Sequence, residues 1–368
     1  MKLHIFNPEH DIALAVDQPR FTAPHAGRQL RADLGFLPAL WAADGDMVLV
    51  DDVEAALESV RHIKRYASDV VFVSVSDLKN LGDAFGNGFG IEPWGWDITL
   101  CTQLQSANAA LADYMPDAST LDTLRTMSSR RFAAEHLLPL LHDAHDEVVG
   151  ESTYCASMQE ALDTMKRYGK SVIKSPWSSS GRGVRYVPET TPDEHQQGWM
   201  RNVIKQQGGI MVEPLYAKVY DFGMEFRATE QGDIEYLGLS LFHTHGGSYT
   251  GSLLATETDK RDILSHYADM TLVDQVRAHI QQALAPLMRG VYVGAFGIDM
   301  MAVPKTNADG YWLHPCVELN LRRTMGHTAL ALTPNVHEPH RLMNIYYADK
   351  YRLRIQTIGK NLLNTGLI

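Results

Sequence analysis

Short apolar runs alternate with longer mixed stretches at the start of this chain. "KLHIF", "DMVLVD" and "VVFVSV" are nearly continuous hydrophobic segments of strand length, the pattern of parallel strands covered on both faces. "AGRQLRADLGFLPALWA" and "TLCTQLQSANAALADYM" read as helical in part. This alternation predicts an α/β layer over residues 1–120. Trp94 and Trp96, in "EPWGWD", fall in a loop and receive no role.

A smaller module follows, over residues 121–206. Ser157 and Glu160 form a capping box, and Gly169 stops the helix after Tyr168. The strand ending at Lys174 follows at once. A loop of small residues runs from Ser178 to Gly183, and a strand resumes at Val184. A helix ending at Gly208-Gly209 leads into "IMVEPL".

Residues 207–368 read as a third unit. "VYDFGMEFRAT" and "IEYLGLSLFHT" are strands joined by the turn "EQGD". "TLVDQVRAHIQQALAPLM" is an amphipathic helix with Val276, Ile280, Leu284 and Leu287 on one stripe. "GAFGIDMMAV" and "YWLHPCVELNL" flank the turn cluster "PKTNADG", which predicts an antiparallel hairpin. The stretch from His337 onward, with "PHRLMNIYYADKYRLR", reads as a closing helix.

Composition narrows the classes. The chain has 368 residues, 45% of them hydrophobic, enough for two or three domains with an ample core. Its formal net charge of -11 argues against a nucleic-acid partner. Cys101, Cys155 and Cys316 form no C-x-x-C pair and suit a reducing cytosol. "NPEHD" interrupts the first apolar run, so no signal peptide is read, and no apolar stretch is long enough to cross a membrane. A cytoplasmic enzyme is the expectation.

Chemistry concentrates in the last hairpin. Asp299 and Glu318 are equally far from a midpoint between Ala308 and Asp309, so they should face each other across the pair. Glu318 and Asn320 are i and i+2 and share a face, which Arg322 continues if the strand persists. Three oxygen ligands on one patch suit Mg²⁺, which takes few protein carboxylates and fills its shell with water and phosphate; Mn²⁺ is the alternative ion. Upstream, Lys174 and the loop of Ser178, Ser179, Ser180, Gly181, Arg182 and Gly183 suit a phosphate nest, with backbone N–H groups and hydroxyls as donors. An ordinary hairpin loop would look similar. His243 and His245 lack a Cys or carboxylate partner at zinc spacing; a substrate or phosphate contact and a solvent-facing position both stay open. Trp177 is either a packing anchor or a substrate platform. Asn7, Glu9, His10 and Asp11 follow the first strand, where α/β ligands bind, and a plain turn is the simpler reading.

The order of these pieces, from Ser129 to Ala331, resembles the ATP-grasp superfamily, which includes biotin carboxylases and D-alanine–D-alanine ligases. The resemblance rests on Lys174, the Gly/Ser loop, "VEPL", an acidic residue, Asp299 and the E-x-N-x-R element at 318–322. It implies an α/β pre-ATP-grasp domain followed by two α+β subdomains that clasp ATP. Carried over by position, Lys174 grips the α/β-phosphates and the Gly/Ser loop covers them. Glu213, Pro214 and Leu215 form the adenine hinge, and Asp221 reads the ribose. Asp299, Glu318 and Asn320 hold the metal, and Arg322 lies near the transferred phosphate. Where members have a lysine before the small-domain helix, this chain offers Arg130 or Arg131, with Arg130 favoured. His243, His245 or Tyr249 stands where a further lysine is often found.

The resemblance implies an ATP- and Mg²⁺-dependent ligase that activates a carboxylate as an acyl phosphate for capture by an amine. The partners are then small-molecule carboxylate and amine substrates, and a homodimer stays open. A kinase acting on a small molecule would use the same nucleotide residues. A non-catalytic nucleotide-binding regulator is the other alternative.

Overall fold

The computed structural model describes residues 1–81, 85–86, 88–178, 181–245 and 248–358. Three sheets organise it. The first contains β1 (Lys2–Ile5), β2 (Met47–Leu49), β3 (Val71–Val73) and β4 (Gly90–Pro93), in the order β3-β2-β1-β4 and wholly parallel. Helices His10–Val16, Val53–Val60, Val75–Asn80 and Ile98–Ala107 follow these strands in turn, as parallel pairing demands. β4 arises from "GIEP", ahead of the Trp94 loop, and its length gives almost no pattern to read.

The second sheet holds β5 (Thr153–Cys155), β6 (Ser171–Lys174), β7 (Val184–Val187) and β8 (Ile210–Pro214) in the order β5-β8-β6-β7, all antiparallel. Helices Met158–Tyr168 and Glu194–Gln207 pack on it. Ser157 accepts from the N–H of Glu160, and the Glu160 side chain reaches back to the N–H of Ala156 rather than that of Ser157. Gly169 and Gly208 end the two helices with positive φ, 74° and 82°, which glycine adopts without strain.

The third sheet is antiparallel and seven-stranded. It contains β9 (Tyr220–Ala228), β10 (Ile234–His245), β11 (Ser248–Leu254), β12 (Gly294–Pro304), β13 (Tyr311–Asn320), β14 (Arg341–Tyr347) and β15 (Tyr351–Thr357), in the order β13-β12-β9-β10-β11-β14-β15. Phe222, Met224, Phe226, Leu239, Leu241, Ile298 and Met300 cover one face and are buried in a single core with helix Met270–Met288. That helix buries Val273, Val276, Ile280, Leu284 and Met288. Leu287 is 41% exposed, so the last stripe position belongs to Met288, four residues after Leu284. Leu284→Ala is expected to cost about 2–5 kcal/mol and Leu287→Ala under about 0.5 kcal/mol in urea melts. Equal losses would contradict this assignment of faces.

The closing helix expected after His337 is absent; β14 and β15 form a hairpin there. Tyr347 pairs with Tyr351 across "ADK", a short turn that the aromatic and branched residues on either side favour. The large unit therefore ends, among the described residues, in two strands. They dock on the N-terminal layer: the Tyr351 N–H donates to Asp33 at 2.8 Å, and Met343 shares a core with Leu34, Leu37 and Val50. No helix among the described residues is long and apolar enough to cross a membrane. Cys101, Cys155 and Cys316 are all free and buried.

Candidate active site

The register of β12 and β13 places Asp299 opposite Glu318. The route differs from a simple count. Pro304 pairs with Tyr311, so the hairpin is centred between Asn307 and Ala308. A β-bulge between Asp299 and Met301 then shifts the pairing: Met301 faces His314, while Asp299 faces Glu318. The extra residues in β13, around Pro315, restore the pairing that a midpoint one residue later predicts.

On its other side Asp299 pairs with Gly223 of β9. Asp221, Gly223 and Glu225 alternate onto the face that carries Asp299, opposite the apolar face described above. A Cβ at Gly223 would lie 3.3 Å from Glu225 Oε1 and 3.6 Å from Asp299 Oδ1, so glycine keeps this acidic patch open. Asn320 donates its amide Nδ2 to Asp299 Oδ2 at 3.1 Å. Glu318 Oε1 lies 2.8 Å from a terminal nitrogen of Arg130. Asp299, Glu318 and Asn320 thus gather in one place.

The electrostatics of the patch call for a cation. Burial, then the charges of Glu318 and Glu225, push the Asp299 carboxyl up to about 8. Among the described residues no three His, Cys, Asp or Glu side chains make up a metal-binding group. The donor set is two carboxylates and an amide, which fits an ion that completes its shell with water and phosphate oxygens. The linkage has a definite sign. The folded carboxyl keeps its proton up to about pH 8 while the unfolded one loses it near 3.8, so Asp299 costs stability as pH rises between them. Mg²⁺ should therefore raise the melting temperature more at about pH 8.5 than at about pH 5.5, and Asp299→Asn should remove the difference. Equal shifts in the wild type would rule out this cation site.

Two arginines border the patch, and a buried lysine lies on the second sheet. Arg130 is buried; its guanidinium donates to the Ser175 carbonyl at 2.7 Å and to Ser178 Oγ at 2.8 Å, besides meeting Glu318. Arg131 instead stacks on Tyr154 and pairs with Glu135. Lys174 is buried and lies 2.6 Å from Glu213 Oε2. Arg322 holds Asp11 through two 2.8 Å hydrogen bonds, from Nε and a terminal nitrogen. Burial opposes the charge of Arg322, but Asp11, Glu318 and Asp299 outweigh it and keep the guanidinium firmly protonated. Arg323 turns away to Glu92 and the Trp41 ring.

The loop after Lys174 is described at Ser178, Gly181, Arg182 and Gly183; Ser179 and Ser180 lie outside the described residues. A Cβ on Gly183 would fall 2.1 Å from Ser178 Oγ, so the loop folds back on itself only with glycine there. Arg182 is exposed and makes no ion pair among the described residues. Trp177 Nε1 donates to the Arg125 carbonyl at 2.9 Å and the Arg125 guanidinium covers its ring, while the side chain also lines the cavity beside Glu318 and Asn320.

The remaining predicted residues are more scattered. Glu213 and Pro214 end β8, and the Leu215 N–H donates to the Lys170 carbonyl at 2.9 Å. That donor is spent on the backbone and is not free to meet a ligand. Asp221 binds the Lys218 ammonium and the Thr244 hydroxyl. The His243 ring packs edge-on against Tyr220, and burial lowers its pKa. The side chain of His245 lies outside the description. Tyr249 hydrogen-bonds Ser252 and packs against the core shared by the N-terminal layer and β14.

Two residues expected in the loop after the first strand open helix His10–Val16 instead and border this patch. His10 and Asp11 line a small cavity together with Ser178, Glu318, Asn320 and Arg322. The plain-turn reading missed them because a contact spanning 311 residues leaves no local pattern. Glu225 was also missed. It is buried and accepts from the Thr324 hydroxyl at 2.8 Å, with His327 Nδ1 3.0 Å away. Its spacing from Asp221 and Gly223 was the available signal.

No family model matches this chain, and no curated protein matches it. Solved structures do. N5-carboxyaminoimidazole ribonucleotide synthetase from Thermus thermophilus superposes with a TM-score of 0.52 at 14% identity, covering 100% of this chain and 96% of that one. N5-carboxyaminoimidazole synthetase from Staphylococcus aureus, complexed with ADP, gives 0.48 at 10% identity over 94% and 82%. The biotin carboxylase domain dimer of Hydrogenobacter thermophilus 2-oxoglutarate carboxylase, with MgADP and bicarbonate, gives 0.48 at 13% over 94% and 74%. At these identities the likeness is one of fold.

Proposed function

We propose that this chain, whose fold is that of the ATP-grasp superfamily, is an ATP- and Mg²⁺-dependent ligase that activates a carboxylate as an acyl phosphate for capture by an amine. The observation that carries this reading is the Asp299–Glu318 pair with Asn320 on one sheet face, bordered by Arg130 and Arg322. A sensor of nucleotide needs no such acidic cradle.

The reaction joins two anions, a carboxylate oxygen and the γ-phosphorus of ATP. Asp299, Glu318 and Asn320 would hold a magnesium ion, which would supply neutralising charge at the phosphates. Lys174 balances the inner phosphates; its partner Glu213 keeps the ammonium in place before nucleotide arrives. Arg130 bonds both Ser178 and Glu318 and so ties the start of the loop to the strand that carries Glu318. Arg322 stabilises charge at the transferred group, and Asp11 holds its planar fork in one orientation. The loop from Ser178 to Gly183 must exclude water, which would hydrolyse the acyl phosphate.

The test is a panel of carboxylates with Mg·ATP and hydroxylamine. One carboxylate class should give ADP and a stable hydroxamate in equal amounts. ADP formed only with a hydroxyl acceptor, leaving a phosphate ester, would make the protein a kinase. No ADP with any acceptor would leave a nucleotide-binding regulator.

A further inference from the structure

A buried pair beside the cavity is not used by the nucleotide chemistry. His10 and Asp97 have side chains 2% and 3% exposed, and His10 Nδ1 lies 3.3 Å from Asp97 Oδ2. The pair is built, not incidental. Asp97 Oδ1 accepts the N–H of Leu100 at 2.8 Å, and Oδ2 also accepts the Asn7 amide at 3.2 Å. Asn7 clasps Gly95 from both sides, donating to its carbonyl at 2.8 Å and accepting its N–H at 3.3 Å. The His10 ring lies flush on Gly95, where a Cβ would come within 2.5 Å of Cδ2.

This arrangement selects a tautomer. A carboxylate only accepts hydrogen bonds, so the neutral imidazole must place its hydrogen on Nδ1 and its lone pair on Nε2. Nε2 has no hydrogen-bond partner among the described residues, and the ring borders the cavity shared by Asp11, Ser178, Glu318, Asn320 and Arg322. The other bases around that cavity are committed. Both oxygens of Asp11 are held by Arg322, and Glu318 meets Arg130 and belongs to the metal cradle.

Resting on the ligase reading above, we propose that His10 is the proton acceptor of the second half-reaction, with Asp97 as its positioning residue. The amine nitrogen attacks the acyl carbon and the C–N bond forms. The C–O bond to phosphate breaks, and phosphate leaves with the electron pair. The proton shed by the nitrogen passes to His10 Nε2. The resulting imidazolium is stabilised by Asp97 until the proton leaves with phosphate or solvent. Forming the acyl phosphate itself requires no proton transfer, so His10 acts only on capture.

The experiment separates the two halves. Hydroxylamine traps an acyl phosphate without a protein base, whereas ammonia or an amino acid must be deprotonated in the site. With the carboxylate found by the hydroxamate screen, His10→Gln should lose amide formation by about 10²–10⁴-fold, far more than it loses hydroxamate formation. Asp97→Asn should lower kcat for amide formation with little change in the KM for amine. Parallel loss of hydroxamate and amide, or undiminished amide formation, would overturn the proposal. A second arm needs no substrate. In ¹⁵N-histidine protein, the His10 signals should show hydrogen on Nδ1 in the wild type and a tautomer mixture in Asp97→Asn. Hydrogen on Nε2 in the wild type would overturn it too. If no carboxylate gives a hydroxamate, the ligase reading fails and takes this role with it, while the imidazole signals still report whether the dyad exists.

Discussion

Glu318→Gln should lower Mg·ATP turnover by on the order of 10³-fold while leaving the protein folded. The substitution keeps the shape of the side chain and removes its charge. Glu318 faces Asp299 across the hairpin and is, after burial, the largest cause of the raised Asp299 pKa. Removing that charge eases the apo site, so the free protein should lose little. Arg130 retains the Ser175 carbonyl and Ser178 Oγ as partners, which limits the loss to about 1 kcal/mol. The cost falls on the loaded site, where a carboxylate is missing from the cradle under the phosphates. ADP release and a urea melt, measured side by side, give the answer. Unimpaired turnover would remove the proposed site.

A second large effect lies at Lys174, where activity and stability are entangled. Lys174 and Glu213 form a buried pair at 2.6 Å, and Glu213 also accepts from Ser152 at 3.0 Å. Lys174→Met leaves a buried carboxylate without its counter-charge, which costs about 3–5 kcal/mol. A loss of turnover in that variant alone would therefore be ambiguous. Adding Glu213→Gln removes the stranded charge, and the double variant should recover most of the stability. It should recover none of the ATP turnover, because no ammonium meets the inner phosphates. Recovery of both would make Lys174 a structural residue only; recovery of neither would point to damage in the small sheet.

The legible parts of this molecule were those with local causes. The helix stops at Gly169 and Gly208 follow from glycine's freedom at positive φ, and the strand runs of the first and third sheets follow from their apolar or alternating patterns. The β12–β13 hairpin was legible because turn residues separate its strands, although its bulge was not. Nothing in "YWLHPCVELNL" says which residue will be extruded from the ladder, and a compensating error left the Asp299–Glu318 pairing correct. The last hairpin was misread because β14 is half-covered along most of its length and shows no clean alternation. Leu342 and Ile345 are three apart, a spacing that suits a helix equally well. Asp11, His10 and Asp97 reach the site through contacts spanning 87 to 311 residues, which only the folded topology reveals.

The docking of β14 and β15 on the first layer has a bearing on biosynthesis. Leu34, Leu37 and Val50 share a core with Met343, and Asp33 receives the N–H of Tyr351, 318 positions later. That layer thus keeps an apolar flank bare until the strand 318 positions after Asp33 has been synthesised. Contacts of such sequence separation form late and slowly, and an uncovered flank is a natural substrate for holdase chaperones in the interval.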